Sequence, residues 1–296
     1  MPTLLYGIIG HPVKHSLSPA MQGAAFKELG IDAEYRLFDI EPAGLSAFLR
    51  DVPKNNIAGL NITIPHKIAA RDYLETSGVL DENARKLGAV NTITVAEGGA
   101  LRGYNTDGPG FYRSLVEDLG FEPEGRSVFV LGAGGAAKAI VMYLGNAPKK
   151  ICVADIDQAK IAELAAHYKA YYDGRKLEAV APSDIASALK ECDLLVNGTP
   201  VGMSQSDPSP VEKTALRAGM YVYDLVYNRP MTQLVKEANS MKCHAITGTG
   251  MLLYQGAIAF ELWTGKKAPV GVMRRALKDA LKEGPGARIQ DPEKIR

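Results

Sequence analysis

A glycine-rich turn, a carboxylate some way after it, and polar side chains set among apolar runs are the residues of this chain that could do chemistry. The turn lies in Val128 to Ala137, reading Val-Phe-Val-Leu-Gly-Ala-Gly-Gly-Ala-Ala. Four apolar residues predict a buried strand, and Gly132, Gly134 and Ala137 keep the G-x-G-x-x-A spacing of a dinucleotide fingerprint that opens a helix through Lys138 to Gly145. Gly132 permits the tight turn, Gly134 lets backbone approach a pyrophosphate, and Ala137 lets helix and strand pack closely. The helix N-terminus offers unpaired N–H groups to the anion. A second strand, Lys150 to Ala154, ends at Asp155, about 20 residues on, where a ribose-binding carboxylate is expected.

The other polar groups lie in the N-terminal third and near the C-terminal end. In Asn61-Ile62-Thr63-Ile64-Pro65-His66-Lys67, Pro65 suits the first turn of a helix, which sets Lys67 against the positive end of the helix dipole. Two readings stand open: a solvated lysine at a cost of a few tenths of a kcal/mol, or a lysine tuned by dipole and partial burial for acid/base work. Asn91 sits in an apolar strand, Ala89 to Val95, where an amide is costly without partners, although it could cap a turn. Asp107 precedes a helix with Phe111, Leu115 and Leu119 on one face, and taken alone it reads as an N-cap. Ser18 and Pro19 read as N-cap and first helical residue. Ser16, Ser18, Thr63, Lys67, Asn91 and Asp107 are all assigned to strand-to-helix loops, which gather at the carboxyl ends of the strands in an open parallel sheet.

The elements that must position these residues alternate along the chain. Strands are expected at 4–9, 35–40, 58–63, 89–95 and 101–104, with helices from Ser18 and over 43–52, so a parallel sheet is implied, with antiparallel pairing open for edge strands. Beyond a Pro/Gly hinge at 122–126, six strands with helical crossovers make one doubly wound unit: 128–131, 150–154, 177–181, 193–197, 221–226 and 244–247. A polar loop covers 204–210, a long apolar helix starts at Gly248-Thr249-Gly250-Met251, and an amphipathic helix covers 274–282. The fold class is therefore α/β, an N-terminal α/β region followed by a Rossmann-type dinucleotide-binding domain, with a polar tail at 283–296.

With 296 residues, 46% hydrophobic and 23% charged, the composition is that of a globular chain of about two domains. A net charge of +1 supplies no field for nucleic acid or anionic membrane. No run approaches the roughly 18 apolar residues of a spanning helix, so a cytoplasmic location is expected, as monomer or homodimer. Cys152, Cys192 and Cys243 are odd in number and lack C-x-x-C spacing, which reads as reduced thiols and no metal site.

Taken together, the chain resembles the shikimate dehydrogenase family, including its quinate/shikimate branch. The likeness rests on Ser16-Leu17-Ser18-Pro19, Asn61 to Lys67, Ala89-Val90-Asn91-Thr92, Asn105-Thr106-Asp107-Gly108, Gly132 to Ala137, Asn197 to Met203, Tyr223 to Tyr227, and Gly248 to Gln255. The resemblance implies an N-terminal α/β substrate domain at 1–106 completed by 249–282, a dinucleotide-binding domain at 107–248, and reduction of 3-dehydroshikimate to shikimate with a nicotinamide cofactor. It implies Lys67 and Asp107 as catalytic residues and Ser16, Ser18, Thr63, Asn91, Tyr227 and Gln255 as substrate-binding ones. The cofactor site it implies comprises Gly132, Ala133, Gly134, Gly135, Ala136, Asp155, Thr199, Leu225, Gly248 and Met251, although apolar packing is the commoner role for a methionine. The family's usual cofactor is NADP, read by an Asn-Arg-Thr run; here Ala154-Asp155-Ile156 stands in that place, so NAD is expected to be preferred, with NADP as the alternative. Shikimate is expected over quinate. A dinucleotide-binding protein without turnover is the competing class, and retained Lys67 and Asp107 argue against it.

Overall fold

A computed structural model of the chain describes residues 3–283, and the polar tail expected at 283–296 lies almost wholly outside them. The chain divides into two compact units, 1–105 with 256–296, and 106–255. The first division falls one residue before the expected 106. The second falls inside a helix, seven residues past the expected 248.

The first unit begins β1 (Leu4–Gly10), α1 (Ser18–Glu28), β2 (Ala33–Asp39), α2 (Leu45–Asp51) and β3 (Ile57–Ile62). It continues with α3 (Lys67–Ser77), β4 (Val79–Leu80), α4 (Glu82–Leu87), β5 (Thr92–Val95) and β6 (Leu101–Tyr104). Its sheet has the order β2-β1-β3-β5-β6-β4. Side chains alternate across it, as a period of two requires. Ile9, Leu60, Ile62 and Ile93 bury against Leu45 and Leu49 of α2 and Ala70 and Leu74 of α3. Tyr6 lies on an aromatic layer with Phe26, Phe260 and Trp263. Gly59 has no room for a Cβ because the Trp263 indole occupies that space, and the indole N–H donates to Ile93 O at 2.9 Å.

The expected parallel sheet is corrected here: β5 runs antiparallel to both β3 and β6, in the interior of the sheet. Short β4 and α4 have too few residues to show a period, and sequence reasoning passed over both.

The second unit comprises α5 (Asp107–Glu117), β7 (Ser127–Leu131), α6 (Gly135–Leu144), β8 (Lys150–Ala154), α7 (Gln158–Lys169) and β9 (Leu177–Ala179). Then come α8 (Ile185–Leu189), β10 (Leu194–Asn197), β11 (Tyr221–Asp224), α9 (Gln233–Ser240) and β12 (His244–Thr247). The strand order is β12-β11-β10-β7-β8-β9 and every pairing is parallel. In sequence order this is the doubly wound 3-2-1-4-5-6 arrangement, with its switch between β7 and β10. Phe129, Leu131, Cys152, Ala154, Leu195 and Val222 bury with Leu189 of α8 and Leu234 of α9. One crossover departs from the expected helices: 198–220, between β10 and β11, holds only a 3-10 turn at Lys213–Ala215. Its polar stretch is tied by Asp207, whose carboxylate accepts from Gly202 N and Ser204 N at 2.9 Å each.

Helix α10 (Thr249–Thr264) begins in the second unit and ends in the first, and α11 (Val270–Glu283) packs on α1. Cys152, Cys192 and Cys243 are free and buried. Cys152 and Cys192, distant in sequence, meet through their thiols beneath the second sheet. No helix among the described residues is long and apolar enough to cross a membrane.

Candidate active site

In the first unit, the loops that carry Ser16, Thr63 and Asn91 lie side by side at one sheet edge. Ile9 pairs with Ile62, and Asn61 pairs with Thr92, so the end of β1, the end of β3 and the start of β5 coincide. Backbone bonds stitch the loops together: His11 N to Ile64 O at 3.1 Å, Ile62 N to Asn91 O at 2.8 Å, and Val90 N to Lys67 O at 2.9 Å. Asn91 was expected in a strand-to-helix loop. It instead precedes β5, and it reaches the carboxyl edge of β1 and β3 because β5 is reversed. It is buried, while Ser16, Thr63 and Lys67 are half-buried.

Three local expectations at helix starts are corrected. Pro65 lies outside the helix, since His66 is the N-cap and Lys67 the first helical residue. Lys67 therefore sits at the helix N-terminus itself. Ser18 is the first residue of α1, and the cap position belongs to Leu17; the Ser18 N–H donates to Ser16 Oγ at 3.3 Å. Asp107 is the first residue of α5, buried, with Thr106 at the cap position.

In the second unit the phosphate-type turn runs directly into its helix. Gly134 is the N-cap of α6, so the helix starts at Gly135, three residues before the expected Lys138. Gly132 has φ +94°, the left-handed region that glycine tolerates. A Cβ added at Gly134 or Gly135 meets nothing within 4 Å, so the protein leaves open the space over the helix N-terminus, where Ala136 is also exposed. The Asp155 carboxylate stands against this turn, accepting from Ala133 N at 2.7 Å and from Asp157 N at 2.8 Å. Asp157, not Asp155, caps α7, and Lys160 Nζ lies 3.4 Å from the Asp157 carboxylate. An anion-ready helix terminus, an open glycine turn and a carboxylate at the end of β8 fit a dinucleotide.

The remaining second-unit residues are held by buried polar hubs. Thr199 donates its hydroxyl to Asn197 Oδ1 at 2.6 Å and its N–H to the same oxygen at 3.1 Å. Asn197 Nδ2 donates to Asp224 Oδ1 at 2.9 Å and to Val201 O at 3.1 Å. Asp224 also accepts from Thr232 Oγ1 at 2.6 Å and Val226 N at 3.2 Å. Burial pushes its carboxyl above the usual range, against these hydrogen bonds. Leu225 and Gly248 are brought together: a Cβ at Gly248 would strike the Leu225 carbonyl. Met251 N donates to the Tyr223 hydroxyl at 3.1 Å, which donates to Ser114 Oγ at 2.8 Å. Gln255 donates to Leu252 O at 2.8 Å, and Tyr227 is exposed beyond the end of β11. Sequence reasoning missed Asp224 and Tyr223 as organisers, although both stand in a motif it singled out. Among the described residues no group of three or more metal-ligating side chains could hold a metal ion.

Residues 8–93 match the shikimate dehydrogenase substrate binding domain, residues 248–278 the shikimate 5'-dehydrogenase C-terminal domain, and residues 128–249 the saccharopine dehydrogenase NADP binding domain. A protein of Methanopyrus kandleri named shikimate dehydrogenase (NADP(+)) is 44% identical over 95% of this chain and 97% of its own. The chain belongs to the shikimate dehydrogenase family. Two solved shikimate dehydrogenase-like folds extend the likeness to three dimensions. Shikimate 5-dehydrogenase from Listeria monocytogenes, in complex with shikimate and NAD, is 32% identical with a TM-score of 0.86, covering 93% of this chain and 96% of that one. Quinate dehydrogenase from Corynebacterium glutamicum, in complex with NAD, is 31% identical with a TM-score of 0.86, covering 94% and 99%. As a shikimate dehydrogenase family member the chain is an oxidoreductase of the nicotinamide dinucleotide class.

Proposed function

We propose that this chain interconverts 3-dehydroshikimate and shikimate, with Lys67 and Asp107 as its catalytic residues. The observation that carries this reading is the stitched edge of the first sheet, where Lys67 is bonded through its own carbonyl to the loop of Asn91. A bound nicotinamide would supply or accept the hydride. Lys67, an ammonium at a helix start, holds the proton for the reacting oxygen and takes it back in the reverse direction. Asn91 and Asp107 hold ring hydroxyls. Ser16, Ser18 and Tyr227 bind the substrate carboxylate, and Thr63 and Gln255 line the remaining polar edge. A pocket of this kind disfavours analogues that leave its donors unpaired. Quinate, with a tertiary hydroxyl beside its carboxylate, is the second substrate, used less well than shikimate. A binding protein without turnover has no support in the family, whose named relatives are dehydrogenases.

The preferred cofactor in this reading is NAD. Gly132 to Ala136 hold the pyrophosphate, Asp155 accepts from the adenosine ribose hydroxyls, and Thr199, Leu225, Gly248 and Met251 line the path to the nicotinamide. A 2′-phosphate would meet the Asp155 and Asp157 carboxylates, and no arginine lies between Arg126 and Arg175 to pair with it. Lys160, the first cation in sequence after β8, is paired with Asp157. Against this stand the NADP(+) in the name of the Methanopyrus relative and the matched NADP binding domain. Steady-state assay of the purified protein with shikimate and quinate, each with NAD and NADP, tests both choices. The expected order of kcat/KM is shikimate above quinate and NAD above NADP; a native preference for NADP removes the cofactor assignment, and a preference for quinate removes the substrate order.

A further inference from the structure

Asn61 opens the motif that ends in Lys67, yet its amide faces the protein interior. Its Oδ1 accepts from the Tyr35 hydroxyl at 2.7 Å, and its Nδ2 donates to Thr92 Oγ1 at 3.2 Å and to Asn91 O at 3.4 Å. Thr92 in turn donates its hydroxyl to Asn91 Oδ1 at 3.0 Å. The Ser18 hydroxyl stands beside Tyr35, whose phenol burial holds protonated well above the ordinary range. Ser18, Tyr35, Asn61, Thr92 and Asn91 are all buried.

The bonds form a line with one direction. A phenol and a threonine hydroxyl each have a single proton to donate, and an amide has distinct donor and acceptor ends. The Asn91 backbone carbonyl can only accept, which turns the Asn61 NH2 toward Asn91 O and Thr92 and its oxygen toward Tyr35, so Tyr35 is the donor. Thr92, accepting from that NH2, has its own proton left for Asn91 Oδ1. The Asn91 oxygen is thereby turned to Thr92 and its NH2 away from it. Reversing the Asn91 amide would turn its NH2 to Thr92 and take from the Thr92 proton the oxygen that accepts it.

Resting on the shikimate reading above, we infer that Tyr35, Asn61 and Thr92 are positioning residues that set which end of the Asn91 amide meets the substrate. Asn91 then presents donors, so the ring hydroxyl it holds must act as acceptor there. None of the three positioning residues needs to touch the substrate.

The test uses Thr92→Val, which keeps the shape of the side chain and removes the directing proton, and Tyr35→Phe at the head of the line. Thr92→Val is expected to raise the KM for shikimate about five- to tenfold, the scale of one hydrogen bond, with the KM for the nicotinamide cofactor unchanged. Tyr35→Phe, two bonds further away, is expected to raise it about twofold to fivefold. Thr92→Ser, which restores the proton, is expected to return the native value. A merely structural role would lower thermal stability in Thr92→Val and leave the KM for shikimate alone, and that result overturns the inference. So does a Thr92→Ser protein no better than Thr92→Val. A native protein with no turnover of shikimate removes the reading beneath the inference and the inference with it. A native protein that turns over shikimate, with unaltered variants, removes the inference only.

Discussion

Asn61 in the first sheet and Asn197 in the second hold corresponding places, each at or next to the carboxyl end of a strand, and each uses both ends of its amide inside its own unit. They lead to different hubs. From Asn61 the line runs only through neutral groups that both donate and accept, so a donor at one end dictates a donor at the other. From Asn197 it runs into Asp224, a carboxylate that, when ionised, accepts from every side. Bonds that converge on an acceptor fix positions without passing on a direction. In the function proposed above, the first edge orients a polar group toward the substrate and the second clamps the loops assigned to the cofactor.

Lys67→Ala attacks the first edge and carries the largest expected effect: kcat lower by about two or more orders of magnitude, with much less change in the KM for shikimate. Steady-state and single-turnover rates check it. A variant with native kcat and a raised KM would make Lys67 a binding residue and leave the first edge no different in kind from the second. Asp224→Ala attacks the clamp. It strands the Thr232 hydroxyl, Val226 N–H and one Asn197 donor, at a cost of about 2 kcal/mol in denaturant unfolding, since buried donors left unpaired are expensive. The cofactor KM is expected to rise with the shikimate KM unchanged; a rise in the shikimate KM instead would blur the two edges into one. The smallest effect sharpens the picture at the end of β8. Asp155→Ala is expected to shift the ratio of kcat/KM for NADP over NAD by about tenfold toward NADP, as one like-charge contact is removed. No relative gain for NADP would take the cofactor choice away from Asp155.

The same contrast explains what could be read without coordinates. The second unit obeys one rule throughout, strand then crossover then parallel strand, and β8 and β12 begin and end where their apolar runs predict. Its glycine spacing and Asp155 therefore pointed directly to a turn and a carboxylate that the fold sets in contact. The first unit breaks the rule once. Nothing in Thr92 to Val95 marks a strand as reversed, because alternation is the same in either direction, and so Asn91 was placed at the right edge for the wrong reason. Ser18 and Asp107 looked like caps because a short polar residue before a helical run has no other local explanation. Tyr35 could not be found at all, since its partner Asn61 is brought beside it only by the sheet and not by any spacing along the chain.

The three cysteines of this chain all fall in its second unit, buried beneath one sheet. A thiol-labelling reagent in native buffer must therefore wait for that unit to open, and the first unit contains nothing for it to react with. Labelling rate becomes a clock for a single half of the protein, and bound dinucleotide, by holding that half closed, should slow it.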